Sequence, residues 1–310
     1  MAWSSAALSA QETTDFAADL PILIGTNPGD NVADARWNAT GSLADADTSA
    51  SGYPAAAGID RKGNELTKPS SAGTTRYWMA DLGATPPDID CAILFSHNLG
   101  AIGSGTVALQ FADDAAFTVN LITVGTFNPN PDTDTRRAVL FSLFHTGAVP
   151  LRYSLARYVR LVFTFGSSQT PQFGEIWLGR RRQLSAAALL SGYDNEEEES
   201  GAEEFEADDG NVRLYALSPR RRVVSAQFKL GTGNSGEAGV VKSWWSDCKG
   251  ASKPCVIVLQ PSSAPQDTAM LVTASRRLAR PILALPSSSW SKRDWSVQFR
   301  EADTFLANDT

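Results

Sequence analysis

The residues able to do chemistry in this 310-residue chain are few and scattered. Histidine occurs twice, as His97 and His145. Each ends an apolar run, with no second ligand at metal-binding spacing. Catalysis needs convergent groups, a nucleophile beside a base or two carboxylates at a set separation. No HExxH, GxSxG or Walker pattern supplies them. Gly100, Gly103 and Gly105 make a flexible connection, but no helix opens after them to offer its N-terminus to phosphate. Asp81, Asp88 and Asp90 gather before an apolar run, and Asp113-Asp114 follow another. Such loops can hold calcium. Solvated turn aspartates are the simpler reading, so neither metal nor cofactor is expected, with a structural calcium ion as the alternative. Sugar binding asks less: an exposed aromatic for the ring's apolar face and polar groups for its hydroxyls. Trp37 and Tyr53, in the loop-rich first part, are the candidate platforms.

Charge narrows the partners. The formal net charge is −7, but Asp194 to Asp209 hold ten acidic side chains and no basic one, so the remainder carries +3 (−7 + 10). A nearly neutral body with one acidic run offers no broad basic face for nucleic acid. The dense cationic spots, Arg180-Arg181-Arg182 and Arg220-Arg221-Arg222, bracket the acidic run. They are expected to pair with it or to form a subunit contact. Blocks of like charge stay solvated, so residues 194–210 are read as an acidic loop.

The elements that must position these residues are mostly strands. Val107, Leu109 and Phe111 alternate with small or polar neighbours, as do Val139, Phe141 and Leu143, and then Val159, Leu161, Phe163 and Phe165. A period of two puts each set on one sheet face, and burying that face needs a second layer. Later, Val224, Ala226, Phe228 and Leu230 form another stripe, and Trp295, Val297 and Phe299 a last one. One helix is expected where Val240, Trp244 and Cys248 recur every four residues, ended by Pro254. Trp244 and Trp245 cannot face the same way on it, so one is assigned to the core and one to an interface. Cys255-Val256-Ile257-Val258-Leu259 reads as a buried strand. The three cysteines form no CxxC pair and are read as free thiols, although Cys248 and Cys255 flank a short loop. No apolar run reaches the roughly 18 to 20 residues of a membrane span, and the start lacks the features of a secretion signal.

Tyr53-Pro54-Ala55-Ala56-Ala57-Gly58-Ile59-Asp60, Tyr77-Trp78-Met79-Ala80-Asp81-Leu82-Gly83 and Phe95-Ser96-His97-Asn98-Leu99 together resemble a galactose-binding-like (discoidin-type) β-sandwich. Arg157-Tyr158-Val159-Arg160-Leu161 and Gly174-Glu175-Ile176-Trp177-Leu178-Gly179 resemble its closing strands. The resemblance spans residues 20–182 and implies that Trp78 packs beneath the sheet while end loops hold any ligand. The terminal cysteine pair common in secreted members is missing. The Ser-His-Asn-Leu and Gly-Glu-Ile-Trp-Leu-Gly segments, with Trp295-Ser296-Val297-Gln298-Phe299-Arg300-Glu301, are similar to structural proteins of tailed bacteriophages, including the distal tail family. The fold expected is therefore mainly β: a jelly-roll-like sandwich over 1–184, and over 185–310 a smaller β-sandwich or barrel with one flanking helix. The function implied is non-enzymatic: a ring-forming tail-tip or baseplate protein of the virion, made in the bacterial host cytoplasm and packed against other tail proteins, without membrane insertion. The alternative is a carbohydrate-binding adhesin that contacts host glycans.

Overall fold

In the computed structural model the described residues are 2, 4–25, 32–61, 65–102, 105–127, 139–183 except 144, 147 and 148, 189–198, 202–206, 212–216, 221–230, 240, 243–249, 253–263, 268–274 and 293–301. The outer sheet has five antiparallel strands in the order β3 (Asp34–Asn38), β4 (Gly73–Asp81), β11 (Tyr158–Gln169), β6 (Gly105–Ala112) and β7 (Ile122–Phe127). Its alternation is the one the sequence predicts. Val107, Leu109 and Phe111 of β6 and Val159, Leu161, Phe163 and Phe165 of β11 are buried. Gln110 and Arg160, on the opposite face, are hydrogen-bonded to each other at 2.6 Å. Facing this sheet is a three-stranded one, β12 (Glu175–Gly179), β5 (Cys91–Phe95) and β8 (Val139–Leu143). The core between them gathers Trp78, Leu94, Ile176 and Leu178 with the β6 and β11 stripes.

The middle sheet is buried on both sides, which explains why β5 and β12 read as unbroken apolar runs rather than alternating ones. Ala92, Leu94, Ile176 and Leu178 point into the sandwich core. Cys91, Ile93, Phe95 and Trp177 point the other way, against Ile22, Ile24, Val256, Val258, Ala269 and Leu271. Those partners belong to a seven-stranded sheet: β13 (Arg182–Gln183), β2 (Ile22–Ile24), β18 (Cys255–Val258), β19 (Ala269–Ala274), β20 (Arg293–Glu301), β17 (Arg221–Leu230) and β14 (Leu189–Glu198). The far face of this sheet, with Leu23, Ile257, Met270, Val272 and Phe299, packs under Val240, Trp244 and Cys248 of the expected helix, whose described turns are 243–247. Strands and helix thus stack in four layers, each buried large side chain contributing about 1.5–3 kcal/mol. Smaller sheets are β1 (Ser4–Ala7), β10 (Val149–Ser154) and β9 (His145–Thr146), and the hairpin β15 (Ala202–Glu206) with β16 (Val212–Ala216).

Three expectations change. The boundary at 184 is crossed, because β2 hydrogen-bonds β18 through Val256↔Ile24 and Val258↔Ile22. Near it, Asp19 accepts from the backbone of Ser262 and Ser263. A three-residue strand completes its ladder only beside a sheet already formed, so the chain's start is threaded into its C-terminal part. Second, the acidic run is not a loop over its length. Leu189–Glu198 is strand β14, with Glu197 opposite Arg222 and Glu198 opposite Arg221, and β15 carries Glu203, Glu204 and Glu206. Third, the first ninety residues hold more than loops. Helix α1 (Ala10–Ala17) starts with a capping box, in which the Ser9 N–H and hydroxyl donate to Glu12 at 3.0 and 2.9 Å and the Glu12 N–H donates back at 3.2 Å. The side chains of Val139, Phe141, Leu143, Ala226, Phe228, Leu230, Trp295 and Val297 lie outside the described ones.

Candidate functional site

The ends of the outer strands sort the loops into two groups. One end collects the described residues 39–61, 65–72, 96–102 and 170–174, and the other collects 82–90, 113–121 and 155–157. Tyr53 stands at the first.

Its backbone is held by a short ladder. Ala50 N–H donates to Lys68 O at 2.9 Å, Ser70 N–H to Thr48 O at 2.7 Å and Tyr53 N–H to Ala50 O at 3.0 Å. Gly52, at φ 81°, closes the turn in a conformation that side chains resist. Pro54 then leads into the 3-10 turn Ala55–Ile59. Beneath lies an aromatic base of Trp37, Trp78, Phe163 and Phe173, whose ring centroids are 5.4–6.2 Å apart. The Trp78 indole N–H donates to Ala55 O at 2.9 Å, and that of Trp37 to Thr67 Oγ1 at 2.7 Å. The base is tight, since a Cβ on Gly58 would come within 2.7 Å of Phe173.

Trp37 therefore differs from its assignment as a sugar platform: it is fully buried, in the foundation rather than on the surface. The loop-rich sequence around it hid the fact that β3 pairs it with Trp78. Tyr53 is half-buried. The Lys68 ammonium stands 3.8 Å from the ring centroid, which sequence inspection missed, although a Lys–Pro beside turn residues was visible. An aromatic face with an adjacent donor cation can stack on a pyranose and hydrogen-bond its hydroxyls.

The opposite end is built from charges. Arg152 donates to Asp90 Oδ2 at 3.1 and 2.9 Å and to Glu12 Oε1 at 2.7 Å, while the Arg181 N–H reaches Asp90 Oδ1 at 2.7 Å. Burial pushes the Asp90 carboxyl up, against the pull of the Arg181 N–H and of Arg152. At Glu12 burial also raises, but the hydrogen bonds from Arg152 and Ser9 outweigh it and hold the carboxyl at about 2. Arg157 clamps Asp81 at 2.8 and 2.7 Å, Ser154 donates to Asp88 at 2.6 Å, and Asp114 accepts from the N–H groups of Thr118 and Val119 at 2.8 Å. Asn120 donates to Asp113 at 2.6 Å. Each aspartate weighed as a calcium ligand thus already accepts from the protein, and no cluster of three metal-binding side chains occurs among the described residues.

The proposed interface residues have partners inside the chain. Arg180 faces Asp88 at 3.8 Å, Arg182 pairs with Asp247 at 3.1 Å, and Arg181 is buried. Arg220 lies outside the described residues, and of Arg221 and Arg222 only the strand register is described. Trp244 is buried and Trp245 half-buried against the same cluster, their rings 5.9 Å apart, so both serve the helix–sheet contact. His97 is buried, and its Nδ1 accepts the Leu99 N–H at 3.4 Å.

No protein-family model matches the chain. No curated protein matches it either. Solved structures do. A chitosan-binding module of a chitosanase/glucanase from Paenibacillus sp. IK-5 is 15% identical, with 50% of this chain and 99% of that one covered at a TM-score of 0.35. The family 32 carbohydrate-binding module of C. perfringens NanJ, in complex with galactose, is 12% identical over 52% and 100% at 0.35. The corresponding module of AlyQ, in complex with 4,5-unsaturated mannuronic acid, is 16% identical over 47% and 94% at 0.33.

Proposed function

We propose that the chain is a non-catalytic glycan-binding protein whose sandwich meets sugar at the loop end around Tyr53. One observation carries this reading: a half-buried tyrosine on a backbone tied down by hydrogen bonds, with the Lys68 ammonium over one face of its ring. A contact ordered before binding costs little further entropy. Titration calorimetry with galactose, chitotriose and a mannuronate oligomer tests it. Binding of one of these, weakened about tenfold or more by Tyr53→Ala in a chain with unchanged circular dichroism, is the expected result. Absence of heat with all three at millimolar sugar counts against the proposal.

A second reading, a ring-forming structural component of a phage tail tip, is favoured by the shared layer. Ile93, Phe95 and Trp177 against Val256, Val258 and Leu271 fuse the two parts into one block, and a ring subunit needs fixed geometry. Light scattering should then give a defined multiple of the monomer mass, and a monomer at every concentration would exclude it.

A further inference from the structure

Cys248 ends the helical segment and Cys255 opens β18, so the two residues border the joint between helix and sheet. Both thiols are free and fully buried. They belong to one apolar cluster with Trp244, Ile257 and Phe299. The Cys255 thiol is near enough to that of Cys248 to be pushed up by it, and the Lys253 N–H donates to Cys248 O at 3.2 Å. Two buried thiols that share one cluster and lie seven positions apart in the chain are candidates for a disulfide. The third cysteine does not share it. Cys91 lies on β5 in the layer between the sheets, its thiol 3.2 Å from Gly179 O.

We propose that Cys248 and Cys255 are an oxidation site, closing to an intrachain disulfide that fastens the helix to the seven-stranded sheet when a small-molecule disulfide is present. The thiolate of one cysteine attacks a sulfur of oxidised glutathione, breaking its S–S bond and releasing one glutathione thiolate. The second cysteine attacks the mixed disulfide and releases the other. The chain loses two thiol hydrogens, and glutathione disulfide is reduced to two thiols. The neighbouring Cys248 thiol and burial keep the Cys255 thiol well above the usual thiol range. In the closed core the pair is therefore slow to react, and exchange proceeds during folding or when the helix lifts.

The test is equilibration of the full folded chain in glutathione buffers of stepped ratio, followed by alkylation, digestion and mass spectrometry. Expected are a 248–255 cross-linked peptide lighter by two hydrogens, Cys91 recovered as a thiol, and an upward shift of Tm on oxidation. A Cys91→Ala chain should close the same pair. Both thiols remaining alkylatable at every ratio, glutathione adducts without closure, or a bond to Cys91 would each overturn the assignment.

Discussion

The two ends of the sandwich solve one problem, tying loops to a sheet, with different physics. At the Tyr53 end the fastening is apolar: Phe173 touches Trp37, Trp78 and Phe163, and the loops above hydrogen-bond through backbone. At the far end it is ionic, with Asp90, Arg152 and Glu12 joining β5, β10 and α1, and Asp81 clamped by Arg157. The aromatic base itself carries no titrating group, while the loops around it are also held by carboxylates: Asp47 accepts the Trp37 N–H at 2.9 Å and the buried Glu175 accepts the Arg61 N–H at 2.9 Å. The other end is held by ion pairs between side chains, which are directional and sensitive to pH.

The comparison can be broken at four points, in decreasing size. Phe173→Ala empties the aromatic base and should cost about 3–5 kcal/mol in urea unfolding, equally at pH 5 and pH 8. A loss under about 1 kcal/mol would mean that the base is not what holds the loops. Asp90→Asn keeps the shape but removes the charge that Arg152 grips, and about 2 kcal/mol should go. An unchanged midpoint would show the ion pair to be dispensable. Next comes acid. Glu12 titrates at about 2 in the folded chain against 4.5 ordinarily. The unfolded chain therefore protonates first, and the Glu12 contribution is complete above the ordinary value and lost as pH falls towards 2. Because Glu12 is partly exposed, about 1 kcal/mol is the expected size. Glu12→Gln should flatten the stability profile across that window, and an identical profile would refute the clasp. Smallest is Tyr53→Ala, about 0.5 kcal/mol of stability. If Tyr53→Ala destabilised the chain as much as Phe173→Ala, the ring would be structural rather than presented.

Legibility followed the range of the interactions. The stripes of β6 and β11 were readable because alternation is local, and the Val240–Trp244–Cys248 spacing marked the helix for the same reason. Trp78 was placed beneath the sheet correctly. Trp37 was not, since nothing local distinguishes a tryptophan on a loop from one on the short strand β3. The acidic run misled because charge density argues for solvation, while the opposing Arg221 and Arg222 that favour pairing sit more than twenty positions away. Of the proposed site, Tyr53 stands out in the sequence by type and position, whereas Lys68, which the fold sets over its ring, does not.

By itself the sequence determined that the chain is mainly β, that a helix flanks the later strands around Trp244, that Cys91 and the β5 and β18 runs are interior, and that histidines and recognisable catalytic motifs are sparse. These follow from residue type and near-neighbour periodicity, which the backbone reads directly. Only the tertiary structure decided that β2 leaves the first part to join the second, that the middle sheet is covered on both faces, and which aromatic stays at the surface. A two-residue period tells a strand which face to bury, but what buries it is chosen by segments far along the chain.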